Sequence, residues 1–176
     1  VYKRQGRRRA VTIGEIHGRI TQRVRAIKAL FESAGVPVAL TNDIDGWLKY
    51  HVALVSPLAG ALYKHDCDNY RAAQDDAAIV AMLHAAREGG CVLRELGYRK
   101  RQPFFFNFFY WQPEFMSKMA IRGLLQSKFA EIAFGMHAKA ARDEMADIAG
   151  DFRQLAAKTS VATPNIDLLA GFIARS

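Results

Sequence analysis

The chain is poor in residues that build cross-links and metal centres. Its 176 residues include only two cysteines, Cys67 and Cys91, which fit neither a disulfide framework nor a paired metal-binding spacing. The five histidines are scattered, and His51 and His65 have no carboxylate or cysteine partner at a metal-ligand spacing. We therefore predict a cytoplasmic protein, in a reducing compartment, without a bound metal.

Long apolar runs and the common nucleotide-binding and catalytic motifs are also absent. No apolar run reaches the roughly 18 residues that a membrane-spanning helix requires, so no membrane partner is expected. Without a GxGxxG fingerprint or a P-loop, the sequence has no glycine-lined helix start to cradle a dinucleotide or a nucleoside triphosphate. The absence of GxSxG, HExxH and EF-hand patterns removes further enzyme classes.

Positive charge is concentrated at one end. The formal net charge is +8, but residues 1–9 contain five of the cations and the remainder carries only +3. We interpret residues 1–9 as a disordered basic tail, because a nucleic-acid-binding surface needs its cations on a folded face. Nucleic acid is therefore not an expected partner.

The first forty residues have the pattern of a strand, a helix and a strand. Residues 10–16 and 36–40 are short β-prone segments. Between them, residues 21–34 carry apolar side chains at intervals of three and four, which predicts an amphipathic helix closed by Gly35. Residues 10–40 are therefore predicted to be the end of an α/β domain.

From residue 41 onwards the sequence predicts helices. We place them at 43–64, 68–97, 112–133, 135–159 and 165–175. Pro57 should kink or split the first of them, because proline removes a backbone donor and clashes with the preceding turn. The fold class is therefore predicted to be mainly α, with one helical domain over 41–176.

An aromatic run is the most apolar segment of the chain. Seven of the eight residues at 104–111 are aromatic, and only Asn107 interrupts them. The run is too short to span a bilayer. It is typical of a core helix turn or of a buried oligomer interface, and in the second case the chain forms a homodimer through its helical domain.

Two polar clusters lie on predicted helices. In WLKYH, at 47–51, Lys49 stands among apolar residues, where its ammonium could be an acid or an anion anchor. In RDEMADIAGDF, at 142–152, Glu144 lies on the side of Ile148 and is expected to point inward. Each cluster also has a purely structural explanation. Lys49 could extend along apolar surface to place its ammonium in water, and residues 142–152 could form a solvated acidic helix face.

The order of several short motifs resembles the C-terminal domain of the ketopantoate reductases, which join an NADPH-binding Rossmann domain to a helical domain. The resemblance covers residues 12 to 175. Its markers are TIGEIHGR at 12–19, SAGVPVAL at 33–40, DIDGWLKYH at 43–51, DEMADIAGDF at 143–152 and ATPNIDLL at 162–169.

The resemblance implies a fold and a function. The fold is a helical domain of the 6-phosphogluconate-dehydrogenase-like type over 41–176, preceded by the end of a Rossmann domain over 10–40. The function is that of the substrate-side half of an NADPH-dependent 2-oxo acid reductase. Lys49 matches the family's proton donor to the ketone oxygen, and Glu144 matches its substrate-hydroxyl binder. NADPH is then bound mainly by a domain supplied elsewhere, and the chain alone is expected to be inactive.

The chain departs from the family pattern near the substrate. Where the family has asparagines in a stretch like NxxxNPL, this sequence reads ALVSPL at 53–58, with Ala53 and Ser56 near those places. His137 is the polar residue in the region where the family has a serine before the glutamate. We assign Ser56, His137 and Ala53 to the substrate side. A site that hydrogen-bonds the polar groups of its substrate discriminates strongly against ligands that leave those groups unpaired. Because the asparagines are missing here, we expect the substrate to be a related 2-oxo acid or ketone instead of ketopantoate itself.

A second reading stays open. The chain could be a non-catalytic helical binding or dimerisation module whose interface is the aromatic run. That reading predicts that Lys49 and Glu144 point into solvent or away from each other.

Overall fold

The computed structural model describes residues 10–99 and 112–174. Within them the protein is mostly helical, with one two-stranded parallel sheet, so the predicted mainly α character is confirmed. No helix in these ranges is both long enough and apolar enough to cross a membrane. The predicted basic tail and the aromatic run at 104–111 lie outside the described residues.

The chain divides into two compact units between Leu48 and Lys49, within a helix and beyond the predicted boundary at residue 40. The first unit contains β1 (Val11–Ile13), α1 (Gln22–Ser33) and β2 (Val38–Leu40). The two strands pair in parallel. The predicted strand, helix and strand order is confirmed, although both strands are shorter than predicted.

The ends of α1 follow the signals in the sequence. The Thr21 side chain accepts a hydrogen bond from the Val24 backbone N–H at 3.3 Å, which caps the first turn. Gly35 follows the helix with a φ of +74°, in the left-handed region that favours glycine. Of the apolar residues of α1, Val24 is buried, whereas Leu30 and Phe31 are exposed.

The segment after β1 is built from close contacts. A Cβ on Gly14 would lie 2.5 Å from the Thr41 carbonyl oxygen, so only glycine fits there. The buried Glu15 carboxylate accepts hydrogen bonds from Thr21 Oγ1 at 2.6 Å and from the Arg23 guanidinium. The TIGE residues therefore have a local structural task, which is to join the end of β1 to the start of α1.

The remaining elements are helices. They are α2 (Ile44–Tyr63), α3 (Asn69–Ala72), α4 (Asp76–Glu95), α5 (Glu114–Leu125), α6 (Lys128–Ala130), α7 (Met136–Ala140), α8 (Arg142–Ala156) and α9 (Pro164–Ile173). A single π-helical turn, Glu131–Gly135, connects α6 to α7.

Three helices that were predicted to be continuous are divided into shorter helices in the structure. The helix predicted at 68–97 breaks where Asp75 accepts a hydrogen bond from the Ala78 backbone N–H at 3.0 Å and starts α4. The helix predicted at 112–133 breaks where Ser127 caps α6 in the same way. The helix predicted at 135–159 is interrupted at Ala141. Side chains that bind nearby backbone groups start new helices, which apolar periodicity alone does not detect.

Helix α2 shows the opposite error. It runs without a break from Ile44 to Tyr63 through Pro57, so the predicted split is wrong, whereas the alternative, a kink at Pro57, stays a prediction. Proline removes one backbone donor, but buried side chains before it, such as Ala53, and after it, such as Leu62, pack the helix on both sides.

Small residues let the helices of the second unit approach one another closely. A Cβ on Gly60 of α2 would lie 2.5 Å from the Leu169 carbonyl oxygen of α9. A Cβ on Gly89 of α4 would lie 2.9 Å from the Ala53 methyl group of α2 and 3.4 Å from the Phe152 ring of α8. The core therefore forms where α2, α4, α8 and α9 meet, and the end of α5 adds Leu125 to it. Its largest fully buried apolar side chains are Tyr50, Leu62, Ile79, Leu83, Leu93, Leu125, Leu169 and Val92.

Candidate functional site

Helix α2 carries three of the five predicted site residues. Lys49, Ala53 and Ser56 are spaced by four and then three residues, so they lie on one face of the helix. Lys49 is half-buried, whereas Ala53 and Ser56 are 1% and 6% exposed. This face therefore runs from a partly accessible lysine into the helical core.

The buried residues of this face differ in what they can do. The Ala53 methyl group packs against Gly89 in the core, so it contributes to helix packing. Ser56 is one of the few buried polar residues of the described ranges.

The other two predicted residues lie on other helices. His137 belongs to α7 and Glu144 to α8, and both side chains are exposed. The expectation that Glu144 points inward is wrong, because its neighbour Met145 takes the buried position. The structure thus groups Lys49, Ala53 and Ser56, and leaves His137 and Glu144 on the surface.

The surroundings of Lys49 include a residue that the sequence analysis missed. The Lys49 Nζ atom lies 4.9 Å from the centroid of the Tyr98 ring, within the range of a cation–π interaction. Tyr50, the next residue of α2, donates a hydrogen bond from its hydroxyl to the Tyr98 carbonyl oxygen at 2.7 Å. Tyr98 is 49 positions from Lys49 along the chain, so no local motif reveals the contact.

His51 adds a neutral group next to this lysine. Burial lowers the pKa of His51 from its ordinary value of 6.5. Its imidazole is therefore uncharged at neutral pH. The positive charge in this part of α2 belongs to Lys49.

A second polar region lies elsewhere in the helical unit. An open depression of about 170 Å³ is lined by residues 66–69, Glu131, Gly135, Met136 and Lys139. Asp66 and Cys67 both have positive φ angles, of 54° and 65°. Burial is the largest cause that raises the pKa of the Cys67 thiol above its ordinary value, so this cysteine is a protonated, poor nucleophile at neutral pH.

The turn after β1 does not fit the pyrophosphate of a dinucleotide cofactor. A cofactor turn needs glycines that leave room for phosphate oxygens at a helix start. Here the space beside Gly14 is filled by the Thr41 carbonyl oxygen, and the space beside Gly18 by the Asn42 carbonyl oxygen. The buried carboxylate of Glu15 in the same turn would repel phosphate as well. We therefore assign no cofactor contact to this segment.

Other clusters and outside comparisons add no assignment. In residues 10–99 and 112–174, no three histidine, cysteine or acidic side chains come together as metal ligands would. No protein-family model matches the chain, and comparison with curated proteins and with solved structures finds no significant match.

Proposed function

We propose that this chain is the substrate-side domain of an NADPH-dependent 2-oxo acid reductase similar to the ketopantoate reductases. The observation that carries the proposal is the setting of Lys49, which is half-buried on α2 with its ammonium against the Tyr98 ring. A lysine restrained in this way is a suitable proton donor. The ordered motifs between residues 12 and 169 support the same family.

The chemistry requires a placed cation. Reduction of a ketone builds negative charge on the carbonyl oxygen, and an ammonium group both stabilises that charge and donates the proton. In the proposal Lys49 has this role, and Ser56 is the polar group further along the same helix face. Glu144 is exposed, so its carboxylate is accessible to a substrate hydroxyl. His137 is exposed as well and stays on the proposed substrate side. Ala53 does not, because it is buried against Gly89 and packs the helix core.

The proposal also includes the finer parts of the fold and setting. The helical unit is of the 6-phosphogluconate-dehydrogenase-like type, and the strand, helix and strand unit is the end of a Rossmann domain. NADPH is bound by a nucleotide-binding domain outside this chain, because the turn after β1 does not fit its pyrophosphate. The protein acts in the cytoplasm.

The experiment is a turnover assay. NADPH oxidation by the protein that carries this sequence is measured with a panel of 2-oxo acids that includes ketopantoate. We expect turnover with at least one member and a loss of roughly 10²- to 10⁴-fold in kcat for Lys49→Ala. Lys158→Ala, which changes an exposed lysine on the helical unit, is the matched control. A flat panel, or equal rates for Lys49→Ala and Lys158→Ala, contradicts the proposal.

A helical interaction module is the second candidate function. The observation that favours it is the exposure of large apolar side chains along α5 and α7: Phe115, Met119 and Met136 are 64%, 65% and 62% exposed. Exposed apolar patches often mark association sites. Sedimentation of the protein tests this candidate, because Met119→Ser should lower self-association if α5 is an interface. An unchanged sedimentation profile in the variant counts against it.

A further inference from the structure

We infer that Tyr98 is a positioning residue for Lys49, and that its aromatic ring holds the lysine ammonium where a ketone oxygen is protonated. The inference rests on the proposed function for its catalytic meaning. The contact itself, with Nζ 4.9 Å from the ring centroid, does not depend on any substrate. The two parts can therefore be tested separately.

The end of α4 fixes the backbone of Tyr98. Gly97 has a φ of +94°, a conformation that glycine adopts without strain. The Gly97 N–H donates to the Arg94 carbonyl at 3.1 Å, and the Tyr98 N–H donates to the Leu93 carbonyl at 2.9 Å. These two bonds form the Schellman motif that ends many helices. The helix end therefore determines the direction in which the chain, and with it Tyr98, leaves α4.

A second bond ties Tyr98 to the helix that carries Lys49. Tyr50 is 1% exposed, and its hydroxyl donates to the Tyr98 carbonyl oxygen at 2.7 Å. Tyr50 follows Lys49 directly in α2. Two adjacent residues of α2 therefore contact Tyr98. Tyr50 binds its backbone carbonyl, and Lys49 lies against its ring.

This arrangement restrains a side chain that is otherwise flexible. A lysine has a flexible four-carbon stem, and ordering it at the moment of reaction slows the step. The negative face of an aromatic ring attracts an ammonium group, so the Tyr98 ring orders Lys49 before the substrate arrives. Because the Tyr50 bond goes to the backbone, replacing the Tyr98 side chain removes the ring and leaves that bond in place.

The contact is tested by NMR spectroscopy. Lysines of the protein are reductively methylated with ¹³C, and the Lys49 resonance is assigned by its absence in Lys49→Arg. We expect an upfield ring-current shift of the Lys49 methyl resonance that disappears in Tyr98→Leu and persists in Tyr98→Phe. Thermal unfolding of both variants shows whether they are folded. A Lys49 resonance that does not change in a folded Tyr98→Leu protein overturns the inference and leaves the proposed function standing.

The catalytic meaning is tested by kinetics of the same variants. We expect Tyr98→Leu to lower kcat roughly 2- to 30-fold, with KM little changed, and Tyr98→Phe to keep the rate. Equal kcat values for Tyr98→Leu and the unchanged protein overturn the positioning role. If Lys49→Ala turns over at the full rate, the proposed function fails, while the NMR result still decides whether Tyr98 orders the lysine.

Discussion

At the scale of single residues, two glycines inside helices differ in how closely other parts of the chain surround them. Gly60 of α2 stands where a Cβ would lie 2.5 Å from the Leu169 carbonyl oxygen and 2.8 Å from the Leu169 Cβ. Beyond its chain neighbours and the backbone of its own helix, Gly150 of α8 has no atom within 4 Å of the place its Cβ would take. The first glycine therefore permits two helices to pack, whereas the second only loosens its own helix.

Alanine substitutions at these two positions should have effects of opposite sign. Gly60→Ala forces α2 and α9 apart and should lower the free energy of unfolding by about 1–3 kcal/mol. Gly150→Ala should raise it by about 0.5–1 kcal/mol, because alanine is the better helix former. Urea denaturation of both variants measures the difference. A gain in stability for Gly60→Ala would show that the contact at Gly60 is not tight, and a loss for Gly150→Ala would contradict the open surroundings of Gly150.

At the scale of the elements, α9 depends on a carboxylate from another helix. Thr163 stands at the N-cap of α9, and its side chain makes no cap hydrogen bond. Instead, Glu88 of α4 accepts hydrogen bonds from the backbone N–H groups of Asn165 at 3.1 Å and Ile166 at 3.0 Å. It also accepts one from Asn165 Nδ2 at 2.5 Å. A negative charge at a helix N-terminus is favourable, so Glu88 both caps α9 and ties it to α4.

We expect Glu88→Ala to lower the free energy of unfolding by about 1–3 kcal/mol, since it leaves helix N–H groups without their acceptor. Glu88→Gln keeps one acceptor oxygen, so it should lower the free energy of unfolding less than Glu88→Ala does. Chemical denaturation measures both variants. The control is Asp151→Ala, which changes an exposed carboxylate on α8. A loss no larger for Glu88→Ala than for this control would contradict the capping role.

The sequence predicts these elements unevenly, for physical reasons. The strand, helix and strand order and the ends of α1 are local, since Thr21 and Gly35 stand at the boundaries they create. The breaks at Asp75 and Ser127 were missed, because an apolar repeat on both sides looks like one helix. The cap that Glu88 provides for α9 joins residues 77 positions apart, and no local pattern contains it.

The candidate site shows the same limit. Lys49 is a candidate that its place in an apolar helix predicts from the sequence alone. The contact with Tyr98 could not be predicted, because it exists only once Gly97 has turned the chain after α4 and α4 has packed beside α2. The prediction that Glu144 points inward is wrong for a similar reason. The helical period permits an inward position, and the packing of Met145 decides against it.

At the scale of the whole molecule, ion pairs between separate segments of the chain make its stability depend on pH. Asp75 accepts hydrogen bonds from Lys64 Nζ at 2.6 Å and from the Ala78 backbone N–H at 3.0 Å, and it pairs with His65 at 2.9 Å. The Lys64 ammonium is the largest cause that holds the pKa of Asp75 well below its ordinary value of 3.8. Lys118 in the same way lowers the pKa of Asp76.

These depressed pKa values fix the direction of the pH dependence. A carboxyl with a lowered pKa in the folded state contributes stability that is fully present above about pH 4 and is lost as the pH falls through the folded value. We expect the free energy of unfolding to fall below about pH 4. The Asp75→Asn variant should be less stable than the unchanged protein at pH 7, and its free energy of unfolding should fall less on acidification. Urea denaturation at pH 7 and pH 3 tests this, and equal losses in both proteins would contradict it.

The central claim is that Lys49 supplies the proton in a ketone reduction, and chemical rescue tests it most directly. The rate of NADPH-dependent 2-oxo acid reduction is measured for Lys49→Ala with and without added ethylammonium. The account predicts a rate reduced by roughly 10²- to 10⁴-fold that rises with ethylammonium concentration, because a free ammonium ion can enter the space left by the lysine. A Lys49→Ala protein with an undiminished rate, or a reduced rate that ethylammonium does not raise, would contradict the claim.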